Sequence, residues 1–274
     1  MRKSLLDNIC SKGILLVAAL LLSNSVTASA SDADKEQRIA EQTLQTLFVG
    51  EPVWLNTKQK KFLTLINNEV VTDNTSVNSA QSAILLIHGS GQGPDTPFLI
   101  APLRELLAES GYPTLSIQMP VLADDAPYKN YESTFPDARQ RISAALDYLA
   151  RQNKKNITII AHSLGSTMLM DWAAQEGVDG VSSIITLGLG ASLKAEYDKN
   201  HFAAALKKTN IPFLDAFGSN DFEAVLKNAP ARVAAVTATH PKSEQRILQD
   251  ADHFYAGAEE QLVELMVTWL QSDK

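Results

Sequence analysis

Ile157-Thr158-Ile159-Ile160-Ala161 runs without a charge into His162-Ser163-Leu164-Gly165, and a helical pattern through Met168 and Trp172 follows. Five uncharged residues, mostly apolar and β-branched, predict a buried strand. The small-x-Ser-x-Gly string after it predicts a sharp strand-to-helix turn with Ser163 at its apex, where only small flanking residues let strand and helix approach. Ala161 stands at the first position, where glycine is usual, and its methyl group is small enough for that turn. Taken alone the string is short enough to arise by chance. Its placement between a strand and a helix makes it informative.

Outward from this point the chain alternates. Upstream, residues 83–87 form an apolar run followed by glycines. Leu99, Leu103, Leu106 and Leu107 keep helical spacing up to Gly111, and residues 113–117 give the next strand. A polar loop is predicted from there to Phe135, with Ser133 or Thr134 capping a helix that carries Pro136 in its first turn. Ile142, Ala145, Leu146 and Leu149 form the core face of that helix. Downstream come strands at 181–187 and 211–217, helical pieces interrupted at Pro230, a more polar strand at 243–248 suited to a sheet edge, and a last helix burying Leu262, Leu265, Met266, Trp269 and Leu270. Before the alternation, residues 33–47 predict a helix with Ala40, Leu44 and Leu47 on one face. Residues 52–55 and 62–71 predict an antiparallel hairpin, and 72–82 a loop rich in Asn, Ser and Thr. Continuous apolar strands separated by amphipathic helices imply an α/β fold, a mostly parallel sheet covered on both faces. Ligands of such sheets bind outside the carboxyl ends of the strands.

The residues just after the strands form one chemical set. Ser163 is the candidate nucleophile. Asp221, in Gly218-Ser219-Asn220-Asp221, follows the next-to-last strand, and His253, in Gln249-Asp250-Ala251-Asp252-His253, follows the last. A serine hydroxyl needs a base to take its proton, and the base needs an acid to hold its tautomer. Asp215, inside its strand, and Asp252, adjacent to His253, are weaker candidates for the acid. After residues 83–87, the loop His88-Gly89-Ser90-Gly91 offers a backbone N–H from Ser90, or second from Gly89, to a developing oxyanion. The Leu164 N–H at a helix start is the other donor. The glycine loop lacks the Lys-Ser/Thr of a phosphate-binding loop, which argues against nucleotide. His88 is expected to order its loop and His162 to pack the turn, while His201 and His240 fall on the surface. No His spacing suggests a catalytic metal, and no cofactor is implied.

Composition excludes other classes. The 274 residues carry 24 Lys+Arg against 31 Asp+Glu, a net charge of −7. No basic stripe marks a nucleic-acid surface. At the N-terminus, Arg2, Lys3 and Lys12 precede an apolar run over residues 13–22, and Ala28-Ser29-Ala30 follows. This is the three-part pattern of a secretory signal, with cleavage expected after Ala30. Ten apolar residues are too few to span a bilayer. The single cysteine, Cys10, leaves with the signal, so residues 31–274 contain no thiol, which suits an oxidising compartment. The periplasm is the expected location, with secretion as the alternative, and no membrane span is expected after cleavage. Residues 31–274 are expected to form one domain.

From Ala83 onward the chain resembles the α/β-hydrolase superfamily. It resembles more specifically the DUF3530 family of exported bacterial proteins, through His88–Gly93, Pro102-Leu103, Gly111–Pro120, Tyr131-Glu132, Pro136–Ala145 and Val178-Asp179-Gly180. Residues 51–55 with 62–65 fit the hairpin that opens that family's domain. The resemblance implies the fold, and the residues after the strands imply the chemistry. The expected activity is that of a serine hydrolase acting on a small-molecule or envelope-derived ester or thioester. The alternatives are a binding or envelope-assembly protein that keeps the fold without turnover, and acyl transfer to an envelope polymer. The loop 119–135 is expected to form either a pocket wall or a solvated surface feature.

Overall fold

The computed structural model describes residues 31–69, 78–190, 206 and 209–272. The export segment at 1–30, His201 and Val70-Val71 of the expected hairpin lie outside the described residues. Helix α1 (Ala33–Thr46) precedes a hairpin of β1 (Glu51–Asn56) and β2 (Lys61–Asn67). Then follow β3 (Ser82–Ile87), α2 (Ile100–Glu109), β4 (Thr114–Ile117), a 3-10 helix (Tyr128–Thr134) and α3 (Phe135–Arg151). The second half contains β5 (Asn156–His162), α4 (Leu164–Glu176), β6 (Ser183–Leu187), β7 (Phe213–Asn220), α5 (Glu223–Thr237), β8 (Glu244–Asp252) and α6 (Glu259–Gln271).

The strands form one eight-stranded sheet in the order β1-β2-β4-β3-β5-β6-β7-β8. The hairpin pairs antiparallel with itself and with β4, and every other pairing is parallel. Period-two alternation explains the two cores. Leu85 and Ile87 of β3 pack on one face with Ile142, Leu149, Met168 and Trp172 from α3 and α4. Ile84 and Leu86 pack on the other with Leu103 and Leu107 of α2 and Leu262 and Met266 of α6. After β3 the chain crosses to β4 on one side and then to β5 on the other, so the switch point lies between the carboxyl ends of β3 and β5. Crevices at such points are where open α/β sheets bind ligands.

Several expectations need correction. The inner row of α1 is Glu36, Ala40 and Thr43, while Leu44 is 40% exposed. A buried ionic cluster sets this rotation. Arg141, fully buried, donates from Nη2 to Glu36 Oε2 at 2.7 Å and to Asp137 Oδ2 at 2.8 Å, and from Nη1 to the Gln118 carbonyl at 3.0 Å. Gln118 Nε2 donates to the Glu36 carbonyl at 2.7 Å. Lys60 lies 3.4 Å from Asp137 and 3.8 Å from Glu36. The connection from β4 to α3 is the expected polar, exposed loop only over 123–130, because Met119, Val121, Leu122, Tyr131 and Thr134 at its two ends are buried. Thr134 makes no side-chain cap, and its hydroxyl donates backward to the Tyr131 carbonyl at 2.7 Å. Pro230 does not interrupt α5, which runs through it. The ring removes one backbone donor, and the packing of Val225, Ala229 and Val236 on either side offsets that loss. β8 is the sheet edge expected, but it continues to Asp252.

Candidate active site

Ser163 sits between β5 and α4 with φ 52° and ψ −122°. That left-handed conformation costs energy for a residue with a Cβ, and it persists because its surroundings fix it. The Ser163 N–H donates to the Leu187 carbonyl at 2.8 Å, extending the β5–β6 ladder one residue beyond β5. Gly165 shows why the turn needs a small residue there. A Cβ at Gly165 would lie 2.4 Å from the His88 carbonyl oxygen, so α4 and the end of β3 could not approach. Ala161, at the other flank, is fully buried in the core, and the turn forms with its methyl group in place.

Asp221 follows β7. At the end of that strand, Gly218 allows a close approach to β8, since a Cβ would meet the Ala251 carbonyl oxygen at 2.2 Å. His253 follows β8, and its loop is tied down by the buried Tyr255, whose hydroxyl donates to the Ala216 carbonyl of β7 at 3.1 Å. These constraints bring the three residues together. His253 Nε2 is 2.9 Å from Ser163 Oγ, and His253 Nδ1 is 2.6 Å from Asp221 Oδ1. All three are buried, Ser163 the least at 9% exposed. Asp221 Oδ1 also accepts the Phe222 N–H at 2.7 Å, whereas Oδ2 has no hydrogen-bond partner among the described residues. Asp215 and Asp252 are engaged elsewhere. Asp215 accepts from Arg232 and Gln245, each at 2.8 Å, and Asp252 Oδ1 accepts the Phe254 N–H at 2.9 Å.

Of the two expected oxyanion donors, Leu164 begins α4, where the first N–H groups lack intrahelical acceptors. Ser90 is exposed at the turn after β3. The Gly89 N–H, the second choice, is taken by Gln92 Oε1 at 2.9 Å.

Sequence reasoning missed two contacts with His253. Phe222 stacks on its ring at 4.1 Å between centroids, with 23° between planes. Gly188, with φ +60°, leaves room for it, since a Cβ there would lie 3.0 Å from the imidazole. Phe222 directly follows Asp221 and Gly188 directly follows β6, so position after a strand was the available signal for both.

The two remaining buried histidines hold the frame. Burial holds the His162 pKa down at about 4, helped by the nearby His253 ring, against a hydrogen bond to the His253 carbonyl. His162 Nε2 donates to that carbonyl at 2.9 Å, and Nδ1 has no hydrogen-bond partner among the described residues. Burial likewise lowers His88 to about 4. Its Nδ1 donates to the Gly89 carbonyl at 2.7 Å and its Nε2 accepts the Met119 N–H at 2.9 Å, so it joins the loops after β3 and β4. A second proton on His88 would face that N–H. The folded pKa values lie below the unfolded 6.5, so their stabilisation is complete above about pH 6.5 and is lost as pH falls toward about 4. We expect the urea midpoint to drop through this window, and the drop to be shallower by about one proton in His88→Gln. Equal slopes for wild type and variant would contradict this assignment.

An open cleft with a volume of about 810 Å³ lies beside Ser90, walled by α1, by residues 91–98 and by the loop around His253. None of its lining residues comes from 119–135. No cluster of three metal-ligating side chains and no membrane-length apolar helix occurs among the described residues.

The sheet order, the hairpin and the turn at Ser163 define an α/β-hydrolase fold. Solved structures share it. An esterase of Pyrococcus furiosus, Pf2001, is 12% identical with a TM-score of 0.62, over 84% of this chain and 94% of that one. Est1E from Butyrivibrio proteoclasticus is 17% identical with a TM-score of 0.58, over 81% and 97%. XC6422 from Xanthomonas campestris, described as an α/β serine hydrolase without a lid, is 11% identical with a TM-score of 0.59, over 82% and 95%. None of the proteins of curated function matches this sequence. The profile of DUF3530, described as a protein family of unknown function, matches residues 14–141 and 137–272, and this chain belongs to that family.

Proposed function

We propose that this protein is an exported serine hydrolase that cleaves an ester or thioester through an acyl-enzyme. The observation that carries the reading is the hydrogen-bonded row Ser163–His253–Asp221, at 2.9 and 2.6 Å, with Ser163 held in a left-handed turn. In the reaction, His253 Nε2 takes the Ser163 proton as Oγ attacks the acyl carbon. The Ser90 and Leu164 N–H groups hold the oxyanion. Asp221 Oδ1 accepts the Nδ1–H of the imidazole and stabilises its charged form. His253 then gives the proton to the leaving atom, and the bond from acyl carbon to that atom breaks. Water, deprotonated by His253, releases the acid and restores Ser163. No cofactor enters these steps.

Labelling by a fluorophosphonate tests this directly, because the probe reports an activated serine. Wild type should label, and peptide mapping should place the adduct on Ser163. A folded wild type that neither labels nor turns over esters would leave a binding protein of this fold. Export has its own test. Intact mass of the exported protein should correspond to residues 31–274, and a membrane-held form retaining residues 13–22 would overturn cleavage after Ala30.

A further inference from the structure

We propose that the cleft between α1 and residues 90–98 receives the alcohol portion of an uncharged ester, and that this portion is flat and apolar, such as a benzyl or aryl group. The inference rests on the hydrolase reading above and assigns its substrate class. Three observations carry it.

The first is position. The cleft reaches Ser90, the proposed oxyanion donor, and its third wall, Asp252, Phe254 and Ala256, flanks His253 on both sides in the chain. The base that takes the Ser163 proton must hand it to the departing oxygen, so the leaving group lies on the His253 side. In that step the Ser163 Oγ–acyl bond forms, the acyl–oxygen ester bond breaks, and the alcohol leaves with the proton.

The second is the character of the walls. Phe98 is 65% exposed and Phe254 is 38% exposed, both in the cleft. Phe254 also meets the His253 ring edge-on at 5.3 Å, so an apolar surface continues from the base into the cleft. Ile39 of α1 stands opposite, touching the loop so closely that a Cβ on Gly93 would meet its Cγ2 at 2.6 Å. Exposed aromatic surface gathered at one site signals a ligand more than chance scatter does. The volume falls within the ~300–1,000 Å³ usual for small-molecule sites.

The third is charge. The lining contains no cationic side chain among the described residues, and it contains Asp95 and Asp252. Two cations that flank the lining are paired. Arg104 pairs with Asp95, and Lys35 pairs with Asp124 at 2.5 Å and also donates to the Leu122 carbonyl at 3.1 Å. The remaining polar lining is neutral, chiefly Gln42, Thr46 and Gln92. An anionic alcohol group would enter without a counter-charge.

The test uses acetate esters, which share one acetyl-enzyme, so differences in kcat/KM report the alcohol alone. Benzyl acetate and 4-carboxybenzyl acetate differ in charge, with leaving oxygens of similar basicity. Benzyl acetate should exceed its carboxylate analogue by about tenfold or more in kcat/KM, and Gln42→Lys should narrow that ratio severalfold. Phe98→Ala should lower the ratio of benzyl to ethyl acetate about tenfold, the loss of one aromatic contact. Binding of 2-naphthol, followed by its fluorescence, provides a readout without turnover. In the Ser163→Ala background, Phe98→Ala should raise its dissociation constant about tenfold. Equal rates for the charged and uncharged benzyl esters, or 2-naphthol binding that Phe98→Ala leaves unchanged, would overturn the cleft assignment. Absence of any turnover by wild type would overturn the hydrolase reading instead, and the 2-naphthol measurement would then decide the cleft by itself.

Discussion

Ser163→Ala and His253→Ala should each lower kcat on the order of 10⁶-fold, and the double variant should be scarcely worse, because the two act as one unit. Ser163→Ala should also abolish fluorophosphonate labelling. The expected result for Asp221 is more particular. Replacing the acid of such a row by its amide can cost on the order of 10⁴, because the amide holds the imidazole in the wrong tautomer. Here the Phe222 N–H donates to Oδ1, the same atom that faces His253 Nδ1. In Asp221→Asn the amide oxygen keeps both hydrogen bonds by staying at that position, with the NH₂ where Oδ2 now stands unpartnered. The reversed orientation would set the NH₂ against the Phe222 N–H. The tautomer therefore survives, and what is lost is the negative charge opposite the imidazolium. We expect a kcat loss nearer 10²–10³, the range for removing one preorganised electrostatic partner. Asp221→Ala removes the acceptor as well and should be worse. Equal losses for the two variants, measured on one ester at fixed pH, would contradict the role given to the Phe222 N–H.

Arg141→Leu should be among the most destabilising single changes in the protein, costing about 3–5 kcal/mol. Arg141 is fully buried and holds Glu36, Asp137 and the Gln118 carbonyl. Its removal leaves two carboxylates close together, with Lys60 the remaining cation paired to both among the described residues. Glu36→Leu combined with Arg141→Leu should recover part of the loss, since the uncompensated charge goes with its partner. Urea unfolding of the single and double variants checks this. A loss below about 1 kcal/mol for Arg141→Leu would mean that the cluster behaves like an exposed pair. Since Glu36 fixes the rotation of α1, the same variant should also disturb the cleft wall formed by Ile39 and Thr43.

The parts of this architecture that were legible in the sequence are those where burial acts on consecutive residues. Residues 83–87 and 157–161 carry no charge because each strand is covered on both faces, and the residues next in line, His88–Gly91 and His162–Gly165, must emerge at one end of the sheet. That is why Ser163, Asp221 and His253 could be picked out before their distances were known. What was illegible depends on partners distant in the chain. Glu36 looks like a solvent-facing residue until Arg141 is placed against it. Leu44 looks like core until that same pair turns α1. The stretch 119–135 reads as polar by composition, yet Met119, Val121 and Leu122 are buried, and the Leu122 N–H reaches the Tyr131 hydroxyl at 3.3 Å. Pro230 reads as a helix breaker, and α5 continues because neighbouring residues keep it packed. The cleft escaped notice for the same reason, since its walls come from α1, the loop after β3 and the loop around His253.

The docking of α1 has a bearing on the order in which the protein matures. Glu36 and Arg141 are 105 positions apart, and Gln118 lies 82 positions beyond the carbonyl it holds. A chain emerges N-terminal end first, at roughly 5–20 residues per second. α1 is therefore made well before its ionic partner on α3 exists, and although Ala40 can meet Leu63 and Leu65 of the hairpin early, as an isolated segment of 14 residues it is marginal as a helix. The Glu36–Arg141 clasp has to wait until α3 has been synthesised and set on the sheet. Substrate selection, if it resides in the wall that α1 supplies, is then among the last properties the nascent protein acquires.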